Sequence, residues 1–318
     1  LQTSDEDLNQ LISNIKWTAQ NACLSVPMDC PQRAERLGWT GDANVMGATA
    51  AFLFDMSRFY AKWECDILDS QALNDDGPDE GVMPNVSPKF PPLKGGKGGG
   101  WGDAGVNLPY IVWKRYGDTD IIGDSYAGMK KWLTYLERNS TDHVITSRIS
   151  TAGDWQNVDD DTPRTLIATF YYAVDVSQMA EMAAAMGQED DAAQYRTLFE
   201  NIRSAFIKKW VAADGTVANG SQTAQVFALH LGLLPENLRP AAVQRLVDSI
   251  IDHQYHLTTG YLGSQWLLQV LADNGHTDIA YKVLQQRTYP SWLYMVGMNQ
   301  TTMWESWGSL NPDGTFAV

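Results

Sequence analysis

The feature that most constrains the fold is the alternation of two kinds of connector between helical patterns. Pairs of segments with the apolar spacing of helices are joined by single-glycine stops, such as Gly117 and Gly187. Longer connectors, rich in acids, glycine and tryptophan, separate one pair from the next. The sequence shows neither a series of β-hairpins nor strands that alternate with helices, so a parallel sheet is disfavoured. We therefore predict an all-α ring of helical hairpins, with one helix of each hairpin facing inward and the long connectors gathered at one end.

The apolar periodicity indicates about eleven helices. A ring of this kind closes with twelve, and the pattern stops at Pro312-Asp313-Gly314, where a final helix would follow. The expectation is a single domain over residues 1–318 that is truncated at its C-terminus. The predicted helices cover residues 4–22, 42–68, 101–116, 121–136, 165–186, 189–210, 221–231, 235–251, 261–272 and 277–286, with a last one beginning near residue 302.

Composition excludes some partners and leaves others open. The formal charge of −15 opposes binding to nucleic acid or to an anionic membrane surface, since both need a basic footprint. Three cysteines, Cys23, Cys30 and Cys65, match neither a disulfide framework nor a metal-ligand spacing, so buried free thiols are expected. Asn-X-Ser/Thr triplets make a secreted or periplasmic location the expectation, with a cytoplasmic one as the alternative. The chain begins with Leu1, and we expect it to be a piece of a longer product.

The first long connector carries the densest mixture of acids, guanidinium groups and an indole. It places Asp29, Arg33 and Glu35 just before Trp39 and Asp42. Loops held by a rigid scaffold are where binding and catalytic side chains concentrate. The alternative is a solvated, salt-bridged connection with no further role.

The later connectors repeat the same mixture of acids and tryptophan. If they share one end of a helical ring, their side chains line a single pocket. Two carboxylates among aromatic platforms are the groups that glycosidic-bond hydrolysis needs, because one acid protonates the leaving oxygen and the other activates water or attacks the sugar. The five histidines lack the close pairing of a zinc enzyme, and no nucleophile elbow is present, so metal and serine catalysis are disfavoured. A catalytically silent sugar-binding protein remains an alternative. The residues concerned are Trp101 and Asp103, Asp154 and Trp155, and Trp292, Trp304, Glu305 and Trp307.

Six motifs together resemble the α-L-rhamnosidases of glycoside hydrolase family 78. The first and most specific is DCPQRAERLGWTGD at 29–42. The others, in chain order, are WGDA at 101–104, GDW at 153–155, LTTGYLG at 257–263, YPSWLY at 289–294 and TTMWESW at 301–307. The resemblance spans nearly the whole chain. It implies an (α/α)6 barrel and an inverting hydrolysis that releases terminal L-rhamnose from a rhamnose-containing glycoside or oligosaccharide, with no metal or other cofactor.

The resemblance also implies roles for individual residues. Glu35 would be the general acid and Glu305 the general base, and inversion would require their carboxyl groups to stand roughly 6.5–9.5 Å apart. A general acid must keep its proton, so we expect Arg33 to engage Asp29 or substrate rather than Glu35. The resemblance implies that Asp29, Arg33 and Asp42 hold the sugar hydroxyls and that Trp39, Trp101 and Trp155 wall the pocket, and we predict further sugar contacts from Asp103, Asp154, Trp292 and Trp304.

This chain departs from the family at its end. Family members continue into a final helix with an Asn-His-Tyr segment and carry accessory β-sandwich domains, which we expect as parts of a longer parent chain. Specificity beyond the first sugar is expected from the irregular segment 69–100. The alternatives are another (α/α)6 glycosidase, a sugar lyase that would use a Tyr or His base, and a non-catalytic carbohydrate-binding relic.

Overall fold

The computed structural model describes residues 1–73, 77–90, 98–146, 149, 152–158, 161–311 and 313–316. The chain divides into two compact units. Unit 1 comprises residues 1–21, 154–163 and 210–318, and unit 2 comprises residues 22–153 and 164–209. The predicted irregular segment 69–100 lies partly outside the described residues. In its described part, residues 69–72 still belong to the helix Ser57–Ala72, and the rest is irregular apart from a 3-10 turn at Gly77–Asp79.

Twelve α-helices and one two-stranded antiparallel hairpin occur within the described residues. None of these helices combines the length and the apolar character that crossing a membrane requires. In chain order the elements are α1 Glu6–Ala22, α2 Thr40–Leu53, α3 Ser57–Ala72, α4 Ala104–Tyr116, α5 Asp120–Arg138, β1 Ser140–Thr141, β2 Val144–Ile145, α6 Arg164–Ala185, α7 Glu189–Trp210, α8 Gln222–His230, α9 Arg239–Asp252, α10 Tyr261–Asp273, α11 Thr277–Leu284 and α12 Trp292–Gly297.

The single helix predicted over 42–68 is wrong, because the structure breaks it into α2 and α3. The break falls at residues 54–56, where the Asp55 carboxylate accepts hydrogen bonds from the Ser57 backbone N–H and hydroxyl. The Tyr116 hydroxyl accepts the Met56 N–H at 2.9 Å and contacts the Phe54 carbonyl at 3.0 Å. Backbone groups released by the break therefore have partners, which makes the interruption inexpensive.

The helix predicted to begin near residue 302 is also wrong. The last helix of the described chain, α12, begins earlier, at Trp292, where the Ser291 hydroxyl accepts the Tyr294 N–H. The segment after it is irregular and is held within unit 1 by the side chains of α1. Asn14 donates to the Gln300 carbonyl at 2.8 Å, and Thr18 accepts the Met303 N–H at 2.7 Å. Side-chain hydrogen bonds thus replace the helical ladder that the sequence pattern suggests.

Each unit has its own packed helices. In unit 2, α4 packs against α2, α3, α5 and α6, and α6 is buried along most of its length. In unit 1, α8 packs against α9 and α10, and α10 packs against α11. The three thiols are free, as predicted, but the expectation that all are buried is wrong: only Cys30 is buried, whereas Cys23 is half-buried and Cys65 is exposed.

Candidate functional site

The connector between α1 and α2, in unit 2, is closed by Asp29. The Asp29 N–H donates to the Leu37 carbonyl, and the Asp29 carboxylate accepts the Leu37 N–H, both at 3.0 Å. Arg36 lies inside this closed segment with a left-handed backbone (φ 50°). This local closure turns the chain so that Glu35 and Trp39 lie side by side.

Glu35 accepts hydrogen bonds at both of its carboxylate oxygens. The indole N–H of Trp39 donates to Oε1 at 2.7 Å. The Arg33 guanidinium donates to Oε2 at 3.0 and 3.2 Å, and it also reaches Asp29 at 3.3 Å. The expectation that Arg33 avoids Glu35 is therefore wrong. Arg33 sits between two carboxylates only two and four residues away, so pairing with both is the nearest arrangement that neutralises them.

The start of α2, in unit 2, contains Asp42 and is contacted by Trp101. Asp42 lies half-buried in the first turn of α2. Trp101 is buried and packs on Gly41, where an added Cβ would stand 2.5 Å from the indole ring. Gly41 is thus required for this close approach, which places the Trp101 ring on the residue directly before Asp42 in the sequence.

Asp103 and Asp154, both predicted to contact sugar, are buried and bonded to the protein. Asp103 accepts the Gly100 N–H at 2.7 Å in unit 2. Asp154, in unit 1, accepts the Thr223 hydroxyl at 2.5 Å and the N–H groups of residues 260, 262 and 263 at 2.8–3.2 Å. Burial raises the pKa of the Asp154 carboxyl in spite of these four donors. Both acids hold loops in place, and a direct sugar contact by either stays a prediction.

Unit 1 contains the second exposed acid and the remaining tryptophans. Glu305 accepts the indole N–H of Trp155 at 3.2 Å, and both side chains are exposed. Trp292 packs edge-on against Trp307 with ring centroids 5.4 Å apart, and Trp304 does so against Tyr294 at 6.2 Å. Four of the predicted residues, Trp155, Trp292, Trp304 and Glu305, therefore belong to unit 1, where Trp155 and Glu305 contact each other directly.

One group of side chains has the spacing of metal ligands. A carboxylate oxygen of Asp29, the Cys30 sulfur and a carboxylate oxygen of Glu35 all lie within 4.8 Å of one another. Arg33 already supplies a cation to both carboxylates. Burial raises the pKa of the Cys30 thiol, and the neighbouring Asp29 adds to this, so the thiolate form that binds metals is disfavoured. The described residues therefore give no support for a metal in this position.

Sequence reasoning missed the residues that support these side chains from inside the helices. Asp175 lies in the middle of α6 and is fully buried beside Asp103. Its signal was present: a lone carboxylate in the run YYAVDV at 171–176 has no apolar role in a buried helix. Thr223, the partner of Asp154, carried no such signal because threonine is common in helices.

Comparison with known proteins places the whole chain in one group. A family model described as the bacterial alpha-L-rhamnosidase 6 hairpin glycosidase domain matches residues 1–316. An alpha-L-rhamnosidase of Streptomyces avermitilis is 45% identical over 309 residues, which are 97% of this chain and 29% of that protein. The chain thus spans less than a third of the length of this curated relative.

Solved structures agree with the family match. The crystal structure of the Streptomyces avermitilis alpha-L-rhamnosidase complexed with L-rhamnose superposes with a TM-score of 0.94 at 44% identity, covering 100% of this chain and 30% of the other. An alpha-L-rhamnosidase from Dictyoglumus thermophilum gives a TM-score of 0.90 at 34% identity, covering 96% of this chain and 35% of the other. The predicted all-α (α/α)6 fold class is confirmed by these similarities.

Proposed function

Because this chain belongs to the family of bacterial α-L-rhamnosidase six-hairpin glycosidase domains, we propose that it hydrolyses terminal α-L-rhamnosides. The observation that carries the proposal is the family match over residues 1–316, together with an exposed, indole-bound carboxyl group in each unit. The substrate would be a rhamnose-containing glycoside or oligosaccharide, and the parent protein would hold further domains.

We assign the role of general acid to Glu35. Its side chain is 34% exposed, so a glycosidic oxygen can approach it. The Trp39 indole N–H fixes Oε1, and Arg33 holds Oε2. A proton donor must be held in one orientation toward the leaving oxygen, and the Trp39 bond supplies that orientation. For proton donation, we propose that substrate draws Arg33 away from Glu35 and toward Asp29, which already accepts from the same guanidinium.

We assign the role of general base to Glu305. The Glu305 carboxylate is exposed, so water can reach it, and the Trp155 indole N–H holds its Oε1. The activated water would attack the anomeric carbon from the face opposite the leaving group, which inverts the configuration. Trp155 would hold the base and present its ring to the sugar.

The remaining predicted residues would bind the sugar. Asp29, Arg33 and Asp42 offer charged hydrogen-bonding groups, which suit hydroxyls. Trp39, Trp101, Trp292 and Trp304 offer flat apolar faces that suit the C–H surface and methyl group of a deoxysugar. Trp101 is the best fixed of these, since it is buried against Gly41.

The test compares wild type, Glu35→Gln and Glu305→Gln on p-nitrophenyl α-L-rhamnoside. We expect each variant to lose at least about a hundredfold in kcat, because general acid–base catalysis contributes roughly 10²–10⁴-fold. Glu80→Gln, which changes an exposed acid in unit 2, is the matched control and should retain activity. Equal activity of all proteins would overturn the residue assignment, and rhamnose binding without turnover by wild type would favour a non-catalytic role.

A second measurement tests the stereochemistry. NMR during the first minutes of hydrolysis should show β-L-rhamnose before mutarotation mixes the anomers. Initial release of α-L-rhamnose would instead indicate retention through a covalent intermediate.

A further inference from the structure

A chain of polar side chains, of which Asp103 and Asn44 are buried, holds the backbone of Gly100, directly before Trp101. The Gly100 N–H donates to Asp103 at 2.7 Å, and its carbonyl accepts from Asn44 of α2 at 2.9 Å. Asn44 in turn accepts from Asn107 of α4 at 2.6 Å, and Asn107 accepts from Gln178 of α6 at 2.8 Å. Gly100 has a φ of 103°, which side chains disfavour, so the loop depends on these contacts and on glycine for its shape.

Asp103, the last of these hydrogen-bonded side chains, lies beside a second buried acid, Asp175. Asp103 is 1% exposed and Asp175 is 0% exposed, and their carboxyl groups lie within hydrogen-bonding reach of each other. One oxygen of each is accounted for, because Asp103 accepts the Gly100 N–H and Asp175 accepts the Trp132 indole N–H at 2.8 Å. Among the described residues the other oxygen, Oδ1 in both, has no donor.

Two facing carboxylates would repel each other strongly in so buried a place. One proton between them removes the repulsion and satisfies both free oxygens at once. Burial raises the pKa of both groups, and the charge of Asp103 raises that of Asp175 further. The Gly100 N–H favours the negative charge on Asp103, and the raised pKa of Asp175 favours the proton on that carboxyl group.

Trp132 connects Asp175 to the glycines of the same loop. It is fully buried on α5, and its ring lies so close to Gly98 and Gly102 that an added Cβ would stand 3.2 and 3.0 Å from it. Its indole N–H is the one bound to Asp175. The loop from Gly98 to Asp103 therefore contacts both α5 and α6, and the Asp175 carboxyl group links these contacts by bonding to Trp132 and facing Asp103.

From this geometry we propose that Asp175 is a positioning residue, which keeps one proton bound between itself and Asp103 and thereby fixes the loop that presents Trp101. The shared proton rests on the structure alone. The effect on sugar binding rests also on the proposed function, because Trp101 is placed there as a wall of the sugar site.

The shared proton is tested by a double-mutant cycle of urea midpoints at neutral pH. In Asp175→Asn the amide can accept from Trp132 and donate to Asp103, so no proton is needed, and the midpoint should change little. Asp103→Asn should behave alike, with Asp175 now ionised. In the double variant two NH2 groups face each other. Its unfolding constant should be roughly tenfold or more larger than the value expected if the free-energy effects of the two single variants were additive. Additive effects, or single asparagine variants as damaging as Asp175→Leu, would overturn the proposal.

The proton itself has a spectroscopic signature. An infrared difference spectrum, wild type minus Asp175→Asn at neutral pH, should contain the C=O stretch of a protonated carboxylic acid. A difference spectrum with only carboxylate bands would contradict the proposal, whatever the stability results.

The effect on the sugar site is tested by kinetics on p-nitrophenyl α-L-rhamnoside. Asp175→Leu should raise KM more than it lowers kcat, because Trp101 loses its place while Glu35 keeps its contacts, and Asp175→Asn should restore KM. A folded Asp175→Leu protein with wild-type KM would refute the positioning role. If wild type itself is inactive, the proposed function fails, while the midpoints and the infrared spectrum still decide the shared proton.

Discussion

Glu64 on α3 should make the stability of this protein fall as pH rises. Its side chain is 1% exposed, and neither carboxyl oxygen has a hydrogen-bond partner among the described residues. Burial therefore raises its pKa well above the usual range. The unfolded chain releases this proton near pH 4.3, whereas the folded chain keeps it.

The sign and size follow from proton linkage. At pH values above about 4.3 the unfolded state binds fewer protons than the folded state, so the free energy of unfolding decreases as pH rises. One proton gives a slope of about 1.4 kcal/mol per pH unit, which continues until the pH reaches the folded pKa. Glu64→Gln is neutral at every pH and should lose this slope. The acids Asp103 and Asp175 add a slope of the same sign, and it remains in the variant.

The assay is the urea midpoint of wild type and Glu64→Gln at several values from about pH 4.5 to pH 8. The urea midpoint of Glu64→Gln should rise relative to that of wild type as the pH increases. Asp69→Asn, at an exposed position on the same helix, is the matched control and should follow wild type. Parallel curves for wild type and Glu64→Gln would refute the reasoning, because the raised pKa would then be absent.

Three further outcomes are expected. Gly41→Ala should raise KM for p-nitrophenyl α-L-rhamnoside, since the new Cβ would stand 2.5 Å from the Trp101 ring, whereas Gly123→Ala, whose Cβ would meet one methyl group at 3.7 Å, should leave KM unchanged. Trp39→Phe keeps a ring but removes the N–H bound to Glu35, so kcat should fall about tenfold, which corresponds to about 1.4 kcal/mol; an unchanged kcat would contradict the orienting role of this bond. Asp154→Asn should lower the free energy of unfolding by about 1–3 kcal/mol, because its NH2 would face backbone N–H donors, and an unaltered thermal midpoint would count against that account.

The sequence predicted helices best where a local signal ends them. Gly187 separates α6 from α7, and both helices lie within about one residue of their predicted bounds. The break between α2 and α3 was missed because Tyr116, sixty residues further along, supplies its hydrogen bonds. A periodicity argument cannot include such a partner.

In the candidate site, too, the sequence predicts local features and misses partners that are distant in sequence. The motif around Glu35 is local, so its acids, Arg33 and Trp39 could be named from the sequence, although the pairing of Arg33 with Glu35 could not. The buried partners of Asp103 and Asp154 come from other helices, and only tertiary structure brings them together. Asp103 and Asp154 were predicted as sugar contacts from their type alone; the structure adds that both hold loops, and the sugar contacts stay a prediction.

The contacts of Asp154 and α1 set an order in which unit 1 can be completed during synthesis. Asp154 bonds to residues 106–109 positions later, and closing a chain of that length costs about 4 kcal/mol in entropy. Asn14 of α1 waits longer still, for the Gln300 carbonyl 286 residues away. Neither contact can form until those residues have left the ribosome. Within unit 1, α1 is therefore made long before the segment that Asn14 and Thr18 bind, and these side chains stay without those partners until residues 300–303 are synthesised.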